Sequence, residues 1–338
     1  MRHGMAKRRM RAWGFALLVC AMCLCARAAQ DDDPAAPLTF GILPIGGPAE
    51  SLEAWRPMLD DLRRALQRPV RAVSVTTYEG IAQAISEQRV DIAFLSGRLA
   101  LDAVTRQNMQ VIARLTRGDG SRGYTAVLLV AADSSIRNVE QMLSQRGRWR
   151  FARGEALSVS GYLVPETQLF APRGLDSDTF FASVHVDNHQ NNALAVANGE
   201  VDVATNNSAD LERFRQRFPE QYARLRILWR SSLIPHAVIV VRNDLPPSLR
   251  SRIATFITGY AKGKDATREA SNLRLIHDIS GFAATDNAEL IPFADIEYSL
   301  EKRRATSTQW VSEAARESRL KKIDTDHVAV VNRLRGHP

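Results

Sequence analysis

Apolar and polar positions along this chain repeat with two periods, and the two alternate. "LTFGIL" (38–43) is a short apolar run of strand type; Ser51 to Leu66 then places Leu52, Trp55, Leu59, Leu62 and Leu66 at helical spacing. "VRAVSV" (70–75) predicts a second strand, a helix begins after Tyr78, and "VDIAFL" (90–95) and "QVIARL" (110–115) complete a βα series. Such a series predicts a parallel sheet with helices on both faces.

The series then starts again. "TAVLLVA" (125–131), "WRFA" (149–152), a helix after Ser160, "SVHV" (183–186), a helix ending at Gly199 and "VDVA" (201–204) predict a second α/β set. "LRIL" (225–228) and "AVIVV" (237–241) read as a return to the first sheet; 246–260, 295–318 and 322–334 read as helices with charged outer faces. The expected fold is α/β with two lobes, each a mostly parallel sheet flanked by helices, joined by crossing hinge strands. Residues 38–125 and 230–338 would form the first lobe and 126–229 the second. The expected ligand site is the cleft between them, at the carboxyl ends of the strands, where helix N-termini converge.

The formal charge of +8 suggests a nucleic-acid or membrane partner. The N-terminus removes that suggestion. Residues 1–28 read as a secretory signal: Lys7, Arg8, Arg9 and Arg11 give a basic start, Trp13 to Leu24 an apolar stretch too short to span a bilayer, and Ala26-Arg27-Ala28 a small-x-small cleavage pattern. The signal holds Arg2, Lys7, Arg8, Arg9, Arg11 and Arg27 and no acid, so its removal takes the formal charge from +8 to +2. All three cysteines, Cys20, Cys23 and Cys25, lie within it. The mature chain then has no disulfide and depends on its hydrophobic core. Val19, Met22 and Leu24 precede the cysteines where a lipoprotein needs a small residue, so a soluble exported protein is expected, with Asp31-Asp32-Asp33-Pro34 as a disordered lead-in.

Enzyme signatures are missing. Ser158 stands two before Ser160 where a nucleophile elbow needs glycine, and no P-loop or G-x-G-x-x-G follows a strand. His185 and His189 are spaced for a shared metal, but "SVHVDNH" reads as strand then loop and offers no third ligand, so no metal and no cofactor are expected. What remains is a set of polar residues at strand-to-helix turns: Tyr78, Ser158, Ser160 and His189. Each has an ordinary reading as a cap or a boundary residue. Together they are neutral donors at helix N-termini, which is what a phosphate-like anion requires. Pro165 falls inside the helix expected after Ser160, so that helix is expected to be kinked or open in its first turn.

"SVSGYLVPETQLF" resembles the S-T-S-G-Y-L-x-P signature of the periplasmic phosphonate-binding proteins of ABC importers, a group that includes phosphite and phosphate binders. "DNHQNNALAVANGEVDVATNNSADL" is similar to the family's His-containing helix and its G-x-V-D-x-A and N-N-T/S turns, and "ILWRSSLIPHAVIVVRNDLP" to its W-x-S-x-x-I-P strand. "FGILP", "TTYEGIAQAI", "GYTAVLLV" and "ISGFAATDNAELIP" match further landmarks, so the resemblance runs from Leu38 to beyond Pro292.

The resemblance implies a type II periplasmic binding protein, not an enzyme, that captures a phosphonate, phosphite or phosphate between its lobes and delivers it to a permease, as a monomer in the periplasm. It places the anion contacts on Tyr78, Tyr124, Ser158, Ser160 and His189, with Val159 contributing only its backbone N–H where the family has threonine. A hydrogen bond to a charged group is worth about 1.5–3 kcal/mol, so that loss bears on affinity or selectivity. The acids that hold an aminoalkylphosphonate's ammonium correspond to Ala209 and Ala237. Asp210 and His236 stand beside them, but neighbours along a strand face opposite sides. Weak binding of 2-aminoethylphosphonate is therefore expected. Three other readings stay open: another anion such as a sulfonate, or presentation of ligand to a sensor kinase; a hydrolase using Ser160 and His189, which lacks a carboxylate orienter; and a transcription effector domain, which needs DNA-binding helices where the export signal stands.

Overall fold

The computed structural model describes residues 35–45, 47–276 and 279–336. The export signal and the acidic lead-in lie outside the described residues. The first βα series forms as β1 (Leu38–Ile42), α1 (Pro48–Leu66), β2 (Val70–Ser74), α2 (Tyr78–Ser86), β3 (Ile92–Leu95), α3 (Gly97–Arg106) and β4 (Met109–Thr116). The second is β5 (Gly123–Ala131), β6 (Arg150–Arg153), β7 (Ser183–Val186), α4 (His189–Ala197), β8 (Val203–Asn207), α5 (Ser208–Arg217) and β9 (Leu225–Pro235). The chain ends with β10 (Val238–Arg242), α6 (Pro247–Gly259), α7 (Ala266–Leu275), β11 (Gly281–Ala284), α8 (Ile291–Ser307) and α9 (Glu313–Leu334).

Two sheets result, ordered β11-β4-β10-β3-β1-β2 and β7-β6-β8-β5-β9. β1 pairs in parallel with β2 and β3, and β6 with β7 and β8. The strands next to the crossings join antiparallel: β10 lies between β3 and β4, and β5 lies between β8 and β9. One expectation is corrected here. "LRIL" does not return to the first sheet, because Leu225 to Ile227 pair with Ala131 to Leu129 in the second. A division at 125/126 and 229/230 cuts through β5 and β9; the sheets exchange at 117–122 and 236–237 instead. The helix expected over 295–318 is two, because α8 stops at Ser307 and Ser312 caps a new start by accepting from the Ala315 amide at 3.2 Å.

Period-two burial explains the continuous apolar run of β5. Val127 and Leu129 pack against Ala193, Leu211 and Phe214 of α4 and α5, while Leu128 and Val130 face Phe151, Phe170 and Phe181 on the other side. A strand covered on both faces has no polar side to show. In the first lobe Trp55 of α1 lies against Phe40 and Phe94, with ring centroids 5.0 and 5.1 Å apart. Such pairs add about 0.5–1.5 kcal/mol each beyond their burial.

Glu166, in the helical segment that follows β6 and beside α8, is 2 % exposed, with Oε1 lacking a hydrogen-bond partner among the described residues. Burial, with the charge of Asp176 adding to it, pushes its carboxyl up to about 7. A carboxyl raised in this way leaves the fold at full stability below its ordinary range and weakens it as pH rises through about 7. Glu166→Gln is therefore expected to raise the melting temperature by several degrees at pH 8, on the order of 1–3 kcal/mol, and by little at pH 4. Thermal melts at the two pH values check this.

Candidate functional site

The carboxyl ends of β1, β3 and β4 in one lobe face those of β6, β7 and β8 in the other. Between them lies a cavity of about 60 Å³. That is room for a small guest only. Tyr78, Tyr124, Ser158, Val159, Ser160 and His189 all line it.

Each side chain is held by a short piece of local structure. After β6 the chain enters a helical segment whose turns, Val159–Leu163 and Glu166–Phe170, are wider than an α-helix. Pro165 sits between them with helical dihedrals, so the open form expected from the sequence is the one adopted, in wide turns. Turns of this kind are concentrated at functional sites. Ser158 is the cap, its Oγ accepting the Gly161 amide at 3.1 Å. Gly161 is required for that closeness: a Cβ there would stand 2.7 Å from Ser158 Oγ and 2.8 Å from the Gly154 Cα. Ser160 is not a cap. Its Oγ lies 3.2 Å from His189 Nε2 and accepts from Asn207 Nδ2 at 3.3 Å. The amides that open a helix have no partner within it, so Val159 retains a donor without a hydroxyl.

His189 opens α4, behind the Asn188 cap. It is buried, and burial holds its pKa below the usual histidine range against the pull of Asp210. The ring is neutral and offers one N–H and one lone pair. Tyr78 opens α2, capped by Thr77. Burial first, and then the charge of Asp210, pushes the Tyr78 hydroxyl well above the ordinary tyrosine range; burial does the same for Tyr124. Tyr78 lies beside Ser158 and Tyr124 beside Ser160. All these groups keep their protons, so the cradle is a set of neutral donors for an anion. His185 is elsewhere, exposed on β7 with Nε2 3.6 Å from Asp187. Among the described residues no cluster of His, Cys, Asp and Glu could hold a metal ion, and no helix is long and apolar enough to cross a membrane.

The orientation expected of Asp210 and His236 is corrected. Both line the cavity, as do Ala209 and Ala237. The alternation rule fails because neither pair sits within a pleated strand: Ala209 and Asp210 lie in the first turn of α5, and 236–237 form the crossing between β9 and β10. Asp210 is held by Asn207 Nδ2 at 2.6 Å. Three polar lining residues carry no such sequence signature of the site. Asn207 caps α5 and braces Ser160; Ser96 stands between β3 and α3; Arg117 follows β4. Only the place of Ser96, a serine between strand and helix like Ser158, hints at it.

The lobes are tied across the cleft. Glu155 of the second lobe accepts the Tyr78 amide at 2.9 and 3.2 Å, and Glu50 of α1 takes both Arg213 and Arg217 of α5. These partly exposed pairs are worth up to about 1 kcal/mol each. Glu50→Ala, although Glu50 does not line the cavity, is therefore expected to weaken ligand binding about 3- to 10-fold by disfavouring the closed state. Calorimetric titration checks this, and the difference should shrink in high salt.

A sequence model of the family described as "ABC transporter, phosphonate, periplasmic substrate-binding protein" matches residues 40–290. The "Phosphonates-binding periplasmic protein" of Escherichia coli K12 is 35% identical over 276 residues, 82% of this chain and 80% of that one. Among solved structures, a binding protein component of an ABC phosphonate transporter from Pseudomonas aeruginosa superposes with a TM-score of 0.82 at 29% identity, covering 89% of this chain and 99% of its own. PhnD1 from Prochlorococcus marinus, solved in complex with methylphosphonate, shares the fold with a TM-score of 0.68 at 18% identity over 79% of this chain and 99% of that one.

Proposed function

This chain belongs to the family of periplasmic substrate-binding proteins of phosphonate ABC transporters, and from that premise we propose that its cavity holds a phosphonate, phosphite or phosphate on Ser158, Ser160, His189, Tyr78 and Tyr124. The protein is a periplasmic binding component and not an enzyme. Its ligand is a small anion and its partner a membrane permease. Export of a monomer, with residues 1–28 removed, completes the proposal.

The observation that carries the site assignment is the union of donors from both lobes around one cavity. Binding here is differential affinity. An anion that touches Tyr78 on one side and Ser160 and His189 on the other finds all its donors only when the lobes are shut, so it biases that state. The donors are neutral and already desolvated, and each bond to the charged guest is of the stronger, charge-assisted kind. Nothing is consumed: Ser160 and His189 touch, but no carboxylate accepts a hydrogen bond from the His189 ring among the described residues.

Isothermal titration of the mature chain with methylphosphonate, phosphite, phosphate and taurine tests the reading. At least one phosphorus oxyanion is expected to bind tightly, and taurine weakly. Binding of taurine alone, or of none of them, would overturn it.

A further inference from the structure

The first lobe's side of the cavity carries a charge that an alkylphosphonate would not use. Leu95 pairs with Val238, and Val238 with Arg114. One step further toward the cleft, the sheet edge therefore sets Ser96, Ala237 and Leu115 side by side, with His236 one residue from Ala237 and Arg117 two residues from Leu115; all five line the cavity. Two polar atoms on this wall are unsatisfied. Among the described residues Ser96 Oγ is buried without a partner on a residue 7% exposed, and Arg117 Nε is buried without a partner. His236 is fixed, with Nε2 3.1 Å from the Ser121 carbonyl and its ring parallel to Tyr124. Asp119, two residues from Arg117, gives its carboxylate to the Ser121 amide at 2.9 Å and is exposed.

Buried donors without acceptors, one of them on a guanidinium, are costly unless a ligand satisfies them. The planar fork of arginine suits a carboxylate. Ala209, in α5 across the cleft, and Ala237, within this wall, offer only methyl groups and so give a cationic tail no counter-charge. The one acid lining the cavity, Asp210, belongs to the second lobe, bound to Asn207. Its charge reaches Tyr78, Tyr124 and His189; on His236 burial and the Ser121 bond act first, followed by the charges of Arg117, Asp119 and Arg114, and Arg117 reaches Tyr124 as well.

We infer that the ligand is a short phosphonocarboxylate, its phosphonate in the cradle of Ser158, Ser160 and His189 and its carboxylate on Arg117 and Ser96. This rests on the phosphonate-binding reading above and specifies the tail. A cavity of about 60 Å³ keeps that tail short.

Titration of the mature chain with phosphonoacetate, 3-phosphonopropionate, methylphosphonate and 2-aminoethylphosphonate is the test. One of the two carboxylates is expected to bind at least about 10-fold tighter than methylphosphonate. Arg117→Ala should bring that ratio close to one, and Arg117→Lys should restore part of it, since the charge returns without the fork. If methylphosphonate binds as tightly as both carboxylates, the tail assignment is wrong while the phosphonate reading stands. If 2-aminoethylphosphonate binds tightest and Asp210→Asn abolishes that preference, Asp210 reads an ammonium and the assignment is equally wrong. If no phosphorus compound binds, both readings fall together.

Discussion

Ser160→Ala is expected to weaken methylphosphonate binding about 10- to 100-fold. Ser160 Oγ lies 3.2 Å from His189 Nε2 and 3.3 Å from Asn207 Nδ2, inside the cavity, and caps no helix. Its loss removes one hydrogen bond to a charged guest, about 1.5–3 kcal/mol, and leaves two neighbouring polar groups to reorganise. Ser158→Ala should behave differently. Ser158 holds the Gly161 amide at 3.1 Å, so losing it also costs about 0.5–2 kcal/mol of fold stability. Titration and thermal melts on both variants separate the roles: affinity alone falls for the first, affinity and melting temperature for the second. Unchanged affinity in Ser160→Ala would reduce Ser160 to a packing residue.

The largest stability effect is expected from Gly123→Ala. Gly123 begins β5 opposite Pro235 of β9, at the crossing between the sheets. A Cβ built there stands 2.1 Å from the Ile234 carbonyl oxygen and 2.9 Å from its carbon. Both are backbone atoms of a paired strand, so no rotamer change relieves the contact. The strands must separate by about an ångström, at a cost of roughly 1–3 kcal/mol or more. Tyr124 is the next residue and lines the cavity, so ligand affinity should fall with stability. A normal melt with normal binding would show that the crossing is more pliable than its packing implies.

Much of the fold was legible because burial and period agree. β5 is apolar throughout since both its faces are covered, and α1 shows its core face at Trp55, Leu59 and Leu62. Legibility failed where those two signals part. β9 is mostly half-exposed, and "LRIL" says nothing about which sheet it edges. The stretch 308–312 breaks a helix through the cap at Ser312, while charged residues on both sides keep the same surface pattern. The site divided in the same way. Tyr78, Ser158, Ser160 and His189 stood out as polar residues at strand-to-helix turns, and Tyr124 and Val159 came only with the family resemblance. Arg117, in a crossing with no periodicity, gives no sign of facing inward, and for Asp210 and His236 the strand alternation rule does not hold, because they lie in a helix turn and a crossing. Sequence separation hides such neighbours: Ser96, Arg117 and His236 meet only because β10 inserts between β3 and β4.

The central claim is that donors from both lobes close on one tetrahedral anion. A crystal structure of the mature chain grown with methylphosphonate tests it most directly. The predicted result is phosphonate oxygens within hydrogen-bond distance of Ser158, Ser160 and His189 on one side and Tyr78 on the other. A phosphonate held by one lobe only, or seated outside this cavity, would contradict it.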